Sequence, residues 1–393
     1  MNNLVEIEAT HYETGKPIKV GIIDGKISNI TEISGSGQLQ NLYVAPGLID
    51  NQINGYKGID FSDNGLTTEK MKRTVEEICR DGVTSFLPTV ITGSHETLLR
   101  NFRNLAEAMN DKDVRQAVPG FHLEGPYISP EEGFYGCHPS AYIRKPSWYE
   151  FEQYQEAANG NIRLVTLSPE IDGCLEFIDM CVRNNVIVAI GHTNASAEQI
   201  NEAVRHGARL STHLGNGCAN LIDRHRNPLW PQLANDLLTP SIIADGHHLL
   251  PEEIQVFYKV KGGYNIILTS DVTHLSGMTP GKYIFLGSEV VLTDEGLIKN
   301  PVLNCLAGAS LPLRTGVGNV MKFTGCTLGE AVNMASGNVA RIYNLSDRGS
   351  LARGKRADLI LFEMDKTSLI IKQVFVNGKI VKPQTSYPIP HTS

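Results

Sequence analysis

The sequence predicts an α/β chain folded as a (β/α)8 TIM barrel, with a small β-sandwich module formed by both chain ends. Three observations carry that prediction. The two ends read as paired strands around tight turns, eight short apolar runs alternate with amphipathic stretches between them, and polar residues of reactive type follow the runs.

At the start, the runs 20–23 and 26–30 flank Asp24-Gly25, a two-residue turn that suits a β-hairpin. At the finish, 357–362, 371–376 and 379–381 mirror that pattern around Asn377-Gly378. Residues 1–44 with 346–393 are therefore assigned to the small module, and 45–345 to the barrel. The eight apolar runs lie at 42–49, 84–90, 117–123, 162–167, 186–190, 208–212, 241–244 and 264–269. Between them, Leu98, Phe102, Leu105 and Met109 fall on one helical face, and capping boxes at Ser147-x-x-Glu150, Ser196-x-x-Gln199 and Thr327-x-x-Glu330 mark helix starts.

Composition narrows the function. A formal net charge of −7 lacks the basic excess that a nucleic-acid surface needs. The 7 cysteines are odd in number, scattered and never in a C-x-x-C pair, which points to reduced thiols rather than a disulfide framework. No basic-then-apolar leader and no run of membrane-spanning length is read, so a cytoplasmic protein without a membrane partner is expected.

The polar residues after the runs are Asp50 and Gln52, Thr89, Glu124, Ser168 with Glu170, His192, His213, Asp245 with His248, and Asp271. In a (β/α)8 barrel the carboxyl ends of all strands converge on one face, so residues distant in sequence become neighbours. One carboxylate and two imidazoles, Glu124, His192 and His213, form a ligand set suited to zinc or a similar divalent ion with a position left for water. A cation there makes water acidic enough to be nucleophilic near neutral pH, and Asp271 is placed to take the proton and pass it to a leaving group. A histidine at a strand end is more often structural when met alone; three strand ends together weaken that reading. His122 shares a strand face with Glu124 and is read as a partner of the ligands rather than as one of them. His95, His206 and His225 are read as solvated, and His274 has no assigned role.

Taken in order, Pro46-Gly-Leu-Ile-Asp50, His122-Leu-Glu-Gly-Pro126, Gly191-His-Thr-Asn-Ala195, Thr212-His-Leu214, Ile243-Ala-Asp-Gly246 with His248, and Thr269-Ser-Asp271 resemble the N-acetylglucosamine-6-phosphate deacetylases of the amidohydrolase superfamily. Leu306-Ala-Gly-Ala-Ser-Leu311 and the stretch 349–359 extend the resemblance over nearly the whole chain. It implies metal-dependent hydrolysis of the N-acetyl group of an amino-sugar phosphate, with Glu124, His192 and His213 on the metal and Asp271 as acid/base. It also implies that His138, in Gly136-Cys-His-Pro139, polarises the acetamide carbonyl, and that Asn216, Gly217, His248, Leu306 and Ala307 contact substrate. A homodimer is implied, in which an arginine, best matched by Arg226, reaches the partner's substrate phosphate. Many amidohydrolases carry a His-x-His pair after the first strand; Gln52 and Asn54 stand there instead, which implies one divalent ion per chain, zinc or iron. The family's aromatic-Asn-Ala-Met run after the second metal histidine is replaced by Gly215-Asn-Gly-Cys218, leaving open the sugar epimer and the need for the phosphate. Other N-acyl substrates (N-acetylgalactosamine 6-phosphate, an unphosphorylated sugar, an N-acyl amino acid) and a non-catalytic sugar or metal sensor are the competing readings. Asp271 argues against the sensor, which needs ligands but no proton shuttle.

Overall fold

The computed structural model describes residues 4–34, 41–302 and 305–381. The run at 42–49 is two strands rather than one. Leu42–Pro46 joins the sheet of the chain ends, and the first barrel strand is Leu48–Ile53. Sequence hydrophobicity does not separate them because both are buried, Ala45 and Leu48 in the same main core.

The chain ends form one seven-stranded sheet in the order Lys379–Val381, Ser368–Val376, Leu359–Asp365, Leu42–Pro46, Val5–His11, Pro17–Ile23, Lys26–Glu32. Side chains alternate along Leu359–Asp365 with period two, as a strand requires. Leu359 and Leu361 face the module's own core with Ile7, Val20, Ile27 and Phe375, while Ile360 and Phe362 pack into the main core. The sheet is thus buried on both sides at its centre. Both anticipated turns are present, with Asp24, Gly25, Asn377 and Gly378 all at positive φ as a type I′ hairpin turn demands. Backbone bonds Ile27 N to Lys355 O (2.9 Å) and Ala357 N to Gly25 O (2.8 Å) tie the two ends together.

The eight barrel strands are Leu48–Ile53, Val83–Ile91, Phe121–Glu124, Ile162–Leu167, Ile187–Ile190, Leu210–Ser211, Thr239–Ile242 and Ile267–Leu268, paired in sequence order and all parallel. The predicted run 264–269 begins as a 3-10 turn at Gly263–Asn265, and only its middle is strand. The anticipated caps form, with full boxes at Ser196/Gln199 and Thr327/Glu330. At Ser147 only half a box forms, because the Glu150 carboxylate is engaged by Arg144 Nε (2.9 Å) and Tyr127 Oη (2.8 Å). Leu98, Phe102 and Leu105 line the buried face of the helix His95–Ala108, as their spacing predicts. At the amino-terminal end of the barrel, Val339, Ala340 and Tyr343 pack against Ile49, Leu87, Leu164 and Ile267. That end is filled, so the open end is the other one.

Closure of the barrel rests on the first and last strands. Ile53 bridges Val272, Asp271 N donates to Gln52 O (3.1 Å), and Asn54 N donates to Val272 O (2.8 Å). Beneath them the Asp50 carboxylate accepts from Thr269 Oγ1 (2.8 Å) and Ser270 N (3.2 Å). After the last strand comes an element that the sequence reading did not contain. Gly281–Phe285, Ser288–Leu292, Ile298–Asn300 and Cys305–Leu306 form a four-stranded antiparallel sheet around Leu275, Phe285, Val290, Leu292 and Ile298. Among the described residues no helix is long and apolar enough to cross a membrane.

Burial pushes the Asp50 carboxyl up to about 6, against the opposing pull of its hydrogen bonds. A carboxyl raised on folding holds its proton more tightly in the folded chain, so between about pH 4 and 6 this group lowers stability as pH rises. Asp50→Asn keeps an acceptor for Thr269 and Ser270 and loses the titration, so its unfolding free energy should depend less steeply on pH in that window than the wild type's. Asp50→Ala strands the buried donors and should cost more than Asp50→Asn by about 1–3 kcal/mol in urea titrations. Equal pH slopes for Asp50→Asn and wild type would contradict this.

Candidate active site

Three side chains at the open end owe their direction to unusual backbone. His192, His213 and Asp271 follow the fifth, sixth and eighth barrel strands with φ of 51°, 29° and 52°. That left-handed region is costly for residues other than glycine and is populated mainly where surrounding structure enforces it. Here each sharp turn ends its strand and swings the side chain over the barrel axis. Glu124 reaches the same point as the last residue of the third strand.

The four groups meet. Glu124 Oε1 lies 2.9 Å from His213 Nε2 and 3.4 Å from His192 Nε2, and the three residues are buried with donor atoms within 4.8 Å of one another. His192 Nδ1 is 2.9 Å from the Phe134 carbonyl, so that nitrogen carries the proton and Nε2 keeps its lone pair. This is the tautomer a cation needs, oriented by an outer carbonyl as metal-binding imidazoles usually are. His213 Nδ1 has no partner among the described residues, so the carboxylate is that ring's engagement. One carboxylate and two imidazoles, buried and convergent, fit a divalent cation.

Gln52 organises the acids. Its Nε2 donates to Glu124 Oε1 (3.0 Å) and to Asp271 Oδ1 (2.9 Å), and Asn54 Nδ2 adds a bond to Asp271 Oδ1 (2.8 Å). Burial would raise the Glu124 carboxyl, but hydrogen bonds with His192 and His213 hold it well below its usual range. Burial and the charge of Glu124 push the Asp271 carboxyl up to about 6. Burial alone would lower the His213 imidazole; its bond with Glu124 raises it instead. The surroundings therefore favour the charged form of Glu124 more than that of Asp271.

Around this centre is a cavity of about 940 Å3, lined by Asn54, Glu124, His138, His192, His213, Asn216, Gly217, His248, Asp271 and Leu306 among others. His138 Nδ1 is 2.8 Å from Thr92 Oγ1 and its Nε2 is 3.9 Å from Glu124 Oε2; burial lowers this imidazole to about 3, so it is neutral. His248 Nδ1 is held by Asp245 Oδ2 at 2.8 Å. Two residues expected at a substrate, one of them in a partner's site, are not part of this cavity's lining. Ala307 is buried in the core of the four-stranded sheet, and Arg226 is exposed on the loop after Gly217 and does not line the cavity of its own chain. His122 is engaged at both nitrogens, 3.2 Å from Thr89 Oγ1 and 2.8 Å from Thr166 Oγ1, and is not part of the converging group of Glu124, His192 and His213. His95, read as solvated, is half-buried and bonds Tyr154 Oη at 3.0 Å, while His206 bonds Asp179 at 3.0 Å; His225 is exposed.

A model of the amidohydrolase family matches residues 43–381. The chain belongs to the amidohydrolase family. It is 32% identical over 367 residues to N-acetylglucosamine-6-phosphate deacetylase of Bacillus subtilis, covering 91% of each chain. It is 29% identical to N-acetylgalactosamine-6-phosphate deacetylase of Escherichia coli O157:H7, covering 91% of this chain and 93% of that one. Among solved structures, an aspartate-to-alanine variant of N-acetyl-D-glucosamine-6-phosphate deacetylase from Mycobacterium smegmatis, in complex with N-acetyl-D-glucosamine 6-phosphate, superposes with a TM-score of 0.86 at 26% identity, covering 96% of this chain and 99% of that one. Amidohydrolases are metal-dependent, and the buried Glu124, His192 and His213 are the group here that suits an ion.

Gln52 stands among the polar residues expected at the strand ends, and Asn54 only in the place of an absent ligand, although period-two spacing from Asp50 puts both on one strand face. Thr92 and the Phe134 carbonyl carried no such signal, since their partners come from distant segments. Two glycines allow His192 its close surroundings: a Cβ on Gly217, at φ +62°, would lie 2.8 Å from His192 Nδ1, and one on Gly136 would lie 3.2 Å from Cε1. Gly217→Ala should therefore displace the ring and weaken metal retention by roughly 10–100-fold, the usual cost of disturbing groups that orient a ligand. Chelator competition measures it, and unchanged affinity would show that the loop yields instead.

Proposed function

We propose that this enzyme hydrolyses the N-acetyl group of N-acetylglucosamine 6-phosphate, giving glucosamine 6-phosphate and acetate. The observation that carries the reading is the pairing of a buried cation-binding triad with a proton-exchanging carboxylate, Asp271, held beside it by Gln52 and Asn54. The relatives supply the substrate class. In this reading residues 45–345 carry the reaction and the module of 1–44 with 346–393 supports them.

Glu124, His192 and His213 would hold one divalent ion, zinc by the donor set and otherwise iron. Such an ion supplies Lewis acidity, polarising the acetamide carbonyl and making water nucleophilic near pH 7. Asp271 receives the proton of the attacking water and delivers it to the departing nitrogen, so that an amine rather than an amide anion leaves. Both bonds to its Oδ1 come from amide donors, which fix the carboxylate without neutralising it. His138, neutral because it is buried, donates from Nε2 to the carbonyl oxygen if Thr92 donates to Nδ1, an arrangement the 2.8 Å contact permits. Asn216, the Gly217 amide, His248 and Leu306 surround the sugar phosphate. Arg226, exposed and away from its own cavity, is assigned to the phosphate in a partner's site, which makes the working unit a homodimer. The enzyme is placed in the cytoplasm, with neither nucleic acid nor membrane as partner.

Asp271→Asn should keep the fold and the ion and lose roughly 10²–10⁴-fold in kcat, the usual contribution of general acid/base catalysis. In the wild type, protonation of Asp271 removes the base, so kcat/KM should fall on the acid side. Burial and Glu124 raise this carboxyl to about 6, and a bound cation draws it back down, which puts the acid limb at or below about pH 6. Near-normal turnover in Asp271→Asn would remove this residue from the mechanism.

Removing the 6-phosphate strands two or three charge-assisted bonds worth roughly 1.5–3 kcal/mol each, so kcat/KM for N-acetylglucosamine should be about 10²–10⁶-fold lower than for its 6-phosphate. Arg226→Ala should erase part of that difference. The Escherichia coli relative makes N-acetylgalactosamine 6-phosphate the alternative substrate, and the same panel decides the epimer. Comparable values with and without phosphate would place the substrate in another class.

A further inference from the structure

Cys137 and Cys305 come from segments 168 residues apart, yet their sulfurs lie 3.2 Å from each other at the wall of the cavity. Cys137 stands between Gly136, which abuts the His192 ring, and His138. Cys305 begins the last strand of the four-stranded sheet, paired with Asn300. Both side chains are half-buried and line the cavity, as does Cys218, whose sulfur donates to the Gly215 carbonyl (3.7 Å), whereas Cys79, Cys174, Cys181 and Cys326 are buried. We propose that Cys137 and Cys305 form an oxidisable dithiol whose disulfide bonds the four-stranded sheet to the His138 loop and slows the enzyme.

A disulfide needs its sulfurs at about 2.05 Å, so closing the pair moves them together by about an ångström. That movement draws on the peptide next to His138. Misplacing a catalytic group by about 1 Å costs on the order of 10²-fold in rate. The oxidant is a small-molecule disulfide. The Cys305 thiolate attacks one of its sulfurs and expels the first thiol; the Cys137 thiolate then attacks the Cys305 sulfur and expels the second. Two protein thiols lose two electrons and two protons, and one external disulfide becomes two thiols. Cys305 is the better first attacker, because hydrogen bonding from Cys137 brings its thiol down to about 7 while Cys137 is raised. In a reducing compartment such a bond is transient, which is the behaviour of a sensor rather than of a structural staple.

The test treats metal-loaded enzyme with glutathione disulfide, alkylates free thiols and maps peptides without reduction. The expected product is a Cys137–Cys305 peptide two hydrogens lighter than its parts, with turnover of N-acetylglucosamine 6-phosphate down by roughly 10–100-fold, ion content unchanged, and both effects reversed by dithiothreitol. Cys305→Ser should keep basal turnover and lose the response; Cys137→Ala serves the same purpose if that variant folds poorly. Persistent alkylation of both cysteines, a disulfide with unchanged turnover, or a Cys305→Ser enzyme that still responds would each overturn the proposal. The inhibition arm rests on the proposed activity and the peptide map does not. A reduced protein that hydrolyses nothing would count against the activity, while the map still judges the dithiol.

Discussion

Two carboxylates have to remain buried side by side at the end of this barrel, and the side-chain amide of Gln52 is what lets them. Its single Nε2 gives one hydrogen to Glu124 and one to Asp271. Like charges at such range, away from water, raise one another's pKa strongly. The amide screens them with two hydrogens and no net charge, so neither carboxylate is turned into an ion pair. The consequence is a division of labour: Glu124, facing two imidazoles, stays anionic, and Asp271, facing two amides, is left near the range where protons are exchanged. A histidine at position 52 would place a ligand where Gln52 places a donor. The spacing of the two acids and the amide in place of a further imidazole therefore come from the same residue.

Gln52 can act this way only because the barrel closes beside it. Its own carbonyl accepts from Asp271 N, so the main chain of the first strand positions the acid that its side chain also holds. Asp50, two residues back on the same face, fastens Thr269 and Ser270 just before that acid. Barrel closure and the placement of the Asp271 carboxylate are thus successive rungs of one strand pair. The turns at His192, His213 and Asp271, all at positive φ, each carry a side chain that is hydrogen-bonded: His192 to the Phe134 carbonyl, His213 to Glu124, and Asp271 to Asn54. Strain of that kind persists where surrounding structure over-determines it.

Much of this was legible in the sequence for physical reasons. The eight parallel strands are apolar enough to stand out, their reactive residues fall directly after them, and the Asp-Gly and Asn-Gly turns declare hairpins through local backbone preference alone. The illegible parts depend on tertiary context. The break at Gly47 between two buried strands produces no change in hydrophobicity. The last barrel strand is very short, and its predicted run is partly a 3-10 turn. The sheet of residues 281–306 is half exposed, with Ile284 and Val302 outward, so its apolar pattern never resembled a core. Thr92 and the Phe134 carbonyl matter only because the loops that carry them fold back onto His138 and His192.

That last group of features lies where substrate selection must be made. The group of Glu124, His192, His213 and Asp271 is built from strand ends, whose positions the barrel dictates. The far wall of the cavity is built from Phe285, Leu286, Lys299, Asn300 and Leu306 of the added sheet and from the loop starting at Gly215. These segments carry little of the barrel's closure, so they can change without loss of the chemistry. Gly217 illustrates the limit on that freedom: the loop is free in sequence beyond it, but at this position a side chain would run into His192. The stretch Gly215-Asn-Gly-Cys218 therefore shapes the cavity wall while keeping the glycine backbone that leaves room for the His192 ring.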